Sequence, residues 1–245
     1  MFIGKITKSD SHINYVCHIY GPREVEQEPA PTDYAFGRFV RVALRSEKGD
    51  DHDARIMAAL GKSTEPHTYV VGVIYDTILV NPEFGSLGPR LSNETQVELF
   101  SPDYISERVV LIYIMMLGMI EQRITPAGEP EVLSVMHGVP LPSLELGSDV
   151  EIMTDDEVRA FHYFSDRQQE EYVGQGEQEE QEPQKRQPYL HMGYIPHIIA
   201  QPNSLLPMVT LRIIDQLERL FPQNLTLLSI LKRNFAWRLK VETTG

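Results

Sequence analysis

The sequence predicts a mainly β protein that turns helical at its C-terminal end, and three features of its pattern say so. Up to about residue 164 the apolar residues come in short runs that are either β-branched or alternate with period two. Seventeen prolines and sixteen glycines cut the 245 residues into many short segments, which favours strands and turns over long helices. After a polar stretch the apolar residues return at spacings of three and four, the signature of amphipathic helix.

The strands are read in chain order. Residues 2–6 and 12–20 form the first two, parted by the turn-prone Ser9, Asp10 and Ser11. In the second, Ile13, Tyr15, Cys17 and Ile19 share one mostly apolar face, and Gly21-Pro22 ends the run. A Glu- and Pro-rich loop, 23–33, leads to a strand at 36–44. Polar residues 46–66 follow, with a short helix expected at 53–60. A long β-branched strand spans 69–80 and stops at Asn81-Pro82. Residues 94–100 and 104–107 read as loop or brief helix, and 108–120 as another strand. Pro126, Pro130, Pro140 and Pro142 keep the chain in extended segments and turns up to Gly147, and 149–153 is the last strand. A helix then runs to about Phe164. Thr154 as N-cap with Glu157 three residues on makes a capping box, and the acidic first turn suits the helix dipole.

Residues 168–187 are dominated by Gln and Glu, too poor in apolar surface to offset the entropy of ordering, so a flexible linker is expected. It divides the chain into 1–164, a linker at 165–188, and a helical unit at 189–245. In that last unit Leu206, Val209, Ile213, Leu217 and Leu220 line one helix, which Pro222 ends. Leu228, Leu231, Phe235 and Leu239 line a second, capped by Asn224. Two helices joined so closely form a hairpin, which has little core of its own and must dock on the strands or on a partner.

Composition narrows the function classes. A formal net charge of -13 argues against gripping nucleic acid with the whole surface, since that affinity comes from cations that release counterions. A single cysteine, Cys17, excludes an intrachain disulfide and a cysteine-rich zinc site; its alternating apolar surroundings make it a small core residue. The first ten residues lack the basic and apolar regions of a signal peptide. The most apolar run, 109–120, is shorter than the roughly 20 residues a spanning helix needs. A soluble, cytoplasmic protein is expected.

Motifs of catalysis are weak. Gly61-Lys62-Ser63 ends like a phosphate-binding loop, but Ile56 stands where the first glycine belongs, and Thr64-Glu65-Pro66 follows in place of a helix. The eight histidines are scattered, without the H-x-H or H-E-x-x-H spacing of metal ligands. Asp50-Asp51-His52-Asp53 lacks the alternation of a calcium loop and reads as a solvated charge run. No G-x-S-x-G elbow occurs. The residues therefore nominate no catalytic group, no cofactor and no metal ligand, and a non-enzymatic protein is expected.

The helical end nominates two surfaces. Leu206, Val209, Ile213, Leu217 and Trp237 are candidates for a partner interface, where Trp is enriched. Lys232, Arg233, Arg238 and Lys240, interleaved with Phe235 and Trp237, are candidates for nucleic-acid contact through phosphate pairing and stacking. The same cations also complement the dipole at a helix C-terminus.

Three stretches resemble the HAS barrel, the small β-barrel at the N-terminus of HerA-type DNA-translocating ATPases and of the ATP-synthase α and β subunits. They are Ile3-Gly4-Lys5-Ile6 with the strand after it, the run from Tyr69 to Ile74 (YVVGVI), and the Pro-rich segment from Pro140 to Val150 (PLPSLELGSDV). Leu190-His191-Met192-Gly193 is similar to the junction between barrel and ATPase core in HerA. The resemblance spans roughly residues 1–164 and implies a small closed β-barrel followed by the C-terminal helical hairpin. No Walker motif follows it, so the resemblance carries over neither ATP-driven activity nor any catalytic residue. It implies an accessory or adaptor subunit of a DNA-processing or translocating assembly, with a HerA-like ATPase or an associated nuclease as protein partner and homo-oligomers possible. The alternative is a barrel that binds single-stranded nucleic acid through the basic last helix.

Overall fold

The computed structural model describes residues 1–21, 24–44, 66–80, 109–125, 130–164 and 189–242. The expected helix at 53–60, the segments 94–100 and 104–107, the Gly61-Lys62-Ser63 string, the Asp50–Asp53 run and the linker 165–188 lie outside the described residues.

Seven antiparallel strands form the main sheet: β1 (Phe2–Ser9), β2 (Asn14–Ile19), β3 (Phe39–Ala43), β4 (His67–Val80), β5 (Val109–Ile124), β6 (Pro130–His137) and β7 (Asp149–Ile152). The pairings run β2-β1-β7-β3-β4-β5, and β5 pairs again with β2, so six strands close into a ring. Closure works because β5 is sixteen residues long and its edge is divided. Leu111–Met115 pair with β2, while Gly118–Ile124 turn away to pair with β6. Two register shifts in the β4–β5 ladder, at Val71/Gly72 and Ile74/Asp76, supply the local twist that such bending requires.

Each long strand is apolar on both faces, and each face has its own core. Ile3, Ile6, Cys17, Val42, Val70, Ile74, Ile114 and Val150 fill the inside of the ring. Phe39, Val71, Val73, Met115, Leu117 and Ile120 belong to a second core on its outside. That double burial is why β4 and β5 read as nearly unbroken hydrophobic runs.

The outer core is closed by helices: α1 (Asp155–His162), α2 (Ile195–Ile199), α3 (Leu206–Leu220) and α4 (Leu225–Glu242), the last two joined by the 3-10 turn Pro222–Asn224. A two-residue pairing of β8 (Tyr163–Phe164) with β9 (Tyr189–Leu190) brings the chain back to α1 before α2 begins. The capping box forms as expected: the Glu157 N–H donates to Thr154 Oγ1 at 3.3 Å and the Thr154 N–H to Glu157 Oε2 at 2.8 Å.

Several bounds move for local reasons. β2 starts at Asn14 because the Ser11 hydroxyl accepts the Asn14 N–H at 3.1 Å and holds a turn. β3 starts only at Phe39, since Gly37 sits at a φ of 82°, outside strand geometry. β5 runs four residues beyond the expected end because β6, expected only as an extended segment, pairs with it. α1 ends at His162, since Tyr163 and Phe164 are taken into the β8–β9 pairing. The five-residue α2 carries no sequence signal that the 3.6-residue period could have shown.

Gly4 illustrates how tightly the ring is drawn. It pairs with Ile19 on one side and Val150 on the other, and a Cβ there would lie 2.0 Å from the His18 carbonyl oxygen and 2.8 Å from Cys17 Sγ. Backbone on both sides cannot give way. Gly4→Ala is expected to cost about 3 kcal/mol, at the upper end of overpacking penalties, read as a lower urea midpoint. An unchanged midpoint would mean that the β1–β2 approach is looser than described.

Candidate functional site

The hairpin of α3 and α4 holds the residues nominated from the sequence, and it separates them sharply. Leu206, Val209, Ile213 and Leu217 are all 1 % exposed or less and belong to the outer core over the strands. As partner-interface residues they are corrected: their side chains cover the protein's own sheet and present nothing to a second molecule. Leu228 is buried beside them, and Leu231 and Phe235 pack on the same core. Trp237 is the exception, 66 % exposed on the opposite side of α4.

The basic residues divide in the same way. Lys232 Nζ lies 2.6 Å from Asp215 Oδ1 and 2.9 Å from Glu218 Oε2 of α3, and these bonds raise its pKa above the ordinary lysine value. Ser229 adds a hydroxyl bond to Glu218 at 3.1 Å. Lys232 is thus a cross-link of the antiparallel hairpin, with two carboxylates competing for the charge a phosphate would need. Arg233 is exposed. The α4 backbone carries Arg238 and Lys240 in its last turns, and their side chains lie outside the described residues.

A second cluster escaped sequence reasoning. His137 of β6, His162 of α1 and His191 after β9 meet around Tyr194 and Phe161. The His137 and His191 rings stack at 4.4 Å between centroids with 17° between planes. His137 Nε2–H donates to the Phe161 carbonyl at 2.9 Å, and its Nδ1 accepts the Gly193 N–H at 3.1 Å. His162 is fully buried; its Nδ1–H donates to the Val158 carbonyl at 2.7 Å, and its Nε2 accepts the Tyr194 hydroxyl at 2.6 Å. Because a carbonyl can only accept and an amide only donate, His137 is fixed as a neutral tautomer, while the Tyr194 hydroxyl could turn either way and it is burial that keeps His162 neutral. Burial pushes His137 down to about 4 and His162 down to about 3, and lowers His191 as well.

With both nitrogens engaged, neither His137 nor His162 has a lone pair to offer an incoming proton or metal without breaking a bond. Among the described residues no group of three His, Cys, Asp or Glu is arranged to hold a metal ion. The cluster is a polar joint that ties β6, α1 and the chain after β9 together. No local signal could have found it, because positions 137, 162 and 191 are far apart in sequence and meet only through the β8–β9 return.

One further charged site anchors α1. Arg41 of β3 binds Glu151 of β7 through Nε at 2.9 Å and Nη2 at 2.8 Å, pairs with Glu157 of α1, and stacks on the Tyr69 ring at 4.5 Å. Cys17 is fully buried, and burial pushes its thiol pKa well above the ordinary value. It is a core residue, inert as a nucleophile. Among the described residues no helix is long and apolar enough to cross a membrane.

No curated protein matches the chain. Residues 1–176, the strand ring with α1 and the start of the segment after it, match the family described as "Domain of unknown function (DUF8166)". The match stops short of α2, α3 and α4. By the extent of that match, the chain belongs to the DUF8166 family.

Proposed function

We propose that this protein is a non-catalytic assembly or adaptor subunit that works in the cytoplasm beside a HerA-like DNA-translocating ATPase. The six-strand ring is read as a small closed barrel of the HAS type. The six ring strands are each paired on both sides, while β6 lies outside the ring and pairs with β5, so recognition is read as falling to β6, the loops and the helical end. The observation that carries the reading is the division of labour in the hairpin. α3 and the inner face of α4 seal the outer core, while α4 keeps Leu227, Ile230 and Trp237 exposed on its other side. Exposed apolar rows on a monomer mark places where other molecules bind.

Direct binding of single-stranded nucleic acid draws less support. Lys232 is engaged by Asp215 and Glu218, and the chain as a whole carries a net charge of -13. The test is co-elution: the whole chain, mixed with a HerA-type ATPase, is followed by size-exclusion chromatography with light scattering. A stable complex of defined mass is expected. Two unshifted peaks, together with a salt-sensitive anisotropy response to labelled single-stranded DNA, would replace the adaptor reading with the nucleic-acid one.

A further inference from the structure

His12 lies in the turn between β1 and β2, and Ser143 lies in the connection from β6 to β7. Far apart in sequence, they meet in space: Ser143 Oγ is 3.0 Å from His12 Nδ1, and His12 Nε2 is 2.6 Å from the Pro140 carbonyl oxygen. A carbonyl oxygen can only accept, so Nε2 carries the ring proton. In the neutral ring Nδ1 is then the lone pair, and the proton of the other bond must come from the Ser143 hydroxyl. The direction is that of a nucleophile handing its proton to a base, with a third group orienting the base. Both side chains are exposed, so a donor in solution can reach them.

The pair is held from both sides. The Ser11 hydroxyl accepts the Asn14 N–H at 3.1 Å and the Asp10 N–H donates to the Asn14 carbonyl at 2.9 Å, which fixes the turn carrying His12. Pro140 and Pro142 stiffen the other arm. Beside Ser143, Leu144 packs on the inner core and its N–H donates to the Tyr15 hydroxyl at 3.1 Å. That last bond limits the chemistry. The N–H that follows a nucleophilic serine is a usual member of an oxyanion hole, and here it is turned to Tyr15. The group orienting His12 is a neutral carbonyl, which aligns the ring without stabilising an imidazolium as a carboxylate does. The site activates a hydroxyl yet gives a tetrahedral intermediate little support, so it suits a donor with a good leaving group.

The geometry points to Ser143 as the acceptor of one acyl group from an acyl thioester, with His12 as its general base. Ser143 Oγ attacks the thioester carbonyl carbon as its proton passes to His12 Nδ1. The C–S bond then breaks, and the departing thiolate takes the proton back from His12. The products are a serine ester and a free thiol, with His12 neutral again. A thiol of pKa roughly 8.5 leaves as thiolate without help from an acid. Water attacking the serine ester would have to expel an alkoxide, a far poorer leaving group, so the acyl group stays. The result is a single covalent mark on an assembly protein, formed once per chain. It is independent of the partner: the mark can form whether or not an ATPase binds.

The test incubates the full chain with S-phenyl thioacetate and follows acetylation of each peptide by mass spectrometry, acetyl groups on amines being counted separately. Ser143 is expected to gain an acetyl group, approaching one per chain and then stopping. His12→Gln should slow that reaction at least about a hundredfold, the lower end of what a positioned base contributes, and Ser143→Ala should remove it. Both positions are exposed, so both variants should keep the wild-type melting curve, which separates a lost base from a lost fold. Equal rates at Ser143 in wild type and His12→Gln would reduce the pair to a clip between two loops and overturn the inference. So would acetylation confined to amines in the wild-type chain. Thiol release that continues beyond one equivalent, and that Ser143→Ala abolishes, would make the site a hydrolase and overturn the acceptor assignment.

Discussion

A fragment ending at Phe164 is expected to lose its fold and aggregate, although it contains all seven strands of the main sheet. The reason lies on the outside of the ring. Val71, Val73, Met115 and Leu117 are fully buried, and the side chains that cover that face come largely from α2, α3 and α4. Uncovering each large apolar side chain costs about 1.5–3 kcal/mol, so four of them already rival the roughly 5–15 kcal/mol that holds an ordinary domain together. The truncation also removes Tyr194, leaving buried His162 Nε2 without its donor. The expected readouts are a void-volume peak in size exclusion, strong binding of an apolar dye and no cooperative melt. Ile213→Asp in the full chain should reproduce them more mildly, because it places a charge in the same core. A monomeric fragment with a sharp melt would show that the ring stands without its helical cover, and the shared outer core would have to be reconsidered.

Acid should unfold the protein earlier than it does most domains, through the histidine joint. The sign follows from the depressed pKa values. In the unfolded chain both rings titrate near 6.5, whereas in the folded chain they stay neutral until about 4 for His137 and about 3 for His162. Between those limits the unfolded state binds more protons, so stability is complete above pH 6.5 and falls as the pH drops. The slope is about 1.4 kcal/mol per pH unit for each ring. Across roughly two units the pair would remove on the order of 5 kcal/mol, a large part of an ordinary domain's stability. The check is a series of urea melts from pH 7.5 down to 4.5. Wild type should lose midpoint steeply below 6.5. His162→Gln should be weaker at pH 7.5, having lost part of the joint, but its slope should be shallower by about 1.4 kcal/mol per unit. Equal slopes would mean that His162 is not held neutral.

Much of the architecture could be read before the structure, and the parts that could not have physical reasons. Period-two alternation located β2 and β3, and the unbroken apolar runs located β4 and β5, because burial on one face or on both leaves those distinct traces. The capping box at Thr154 and Glu157 was visible because helix starts are local chemistry. Leu206, Val209, Ile213 and Leu217 were correctly placed on one helical face, yet the choice between core and partner for that face depends on what lies opposite, which no periodicity contains. Lys232 looked like a free cation because Asp215 and Glu218 come near it only once the hairpin closes. The histidine joint was invisible for the same reason, on a larger scale. Trp237, lying off the apolar stripe, was legible as something different, and its neighbours Leu227 and Ile230 were missed because attention to one stripe hides a second.

The β8–β9 pairing has a consequence for how the family can vary. Phe164 and Tyr189 are strand partners, so positions 164 and 189 are held side by side as a single doorway. Closing a loop between fixed posts costs little more when the loop grows: doubling its length adds only about 0.6 kcal/mol. Inserting about 20 Gly/Ser residues between positions 164 and 189 is therefore expected to leave the melting curve of the chain nearly unchanged. For an engineer the doorway is a splice point, where a fluorescent or affinity domain with adjacent termini can be carried as cargo. For evolution it is a place where new specificity can be tried while the two cores stay as they are.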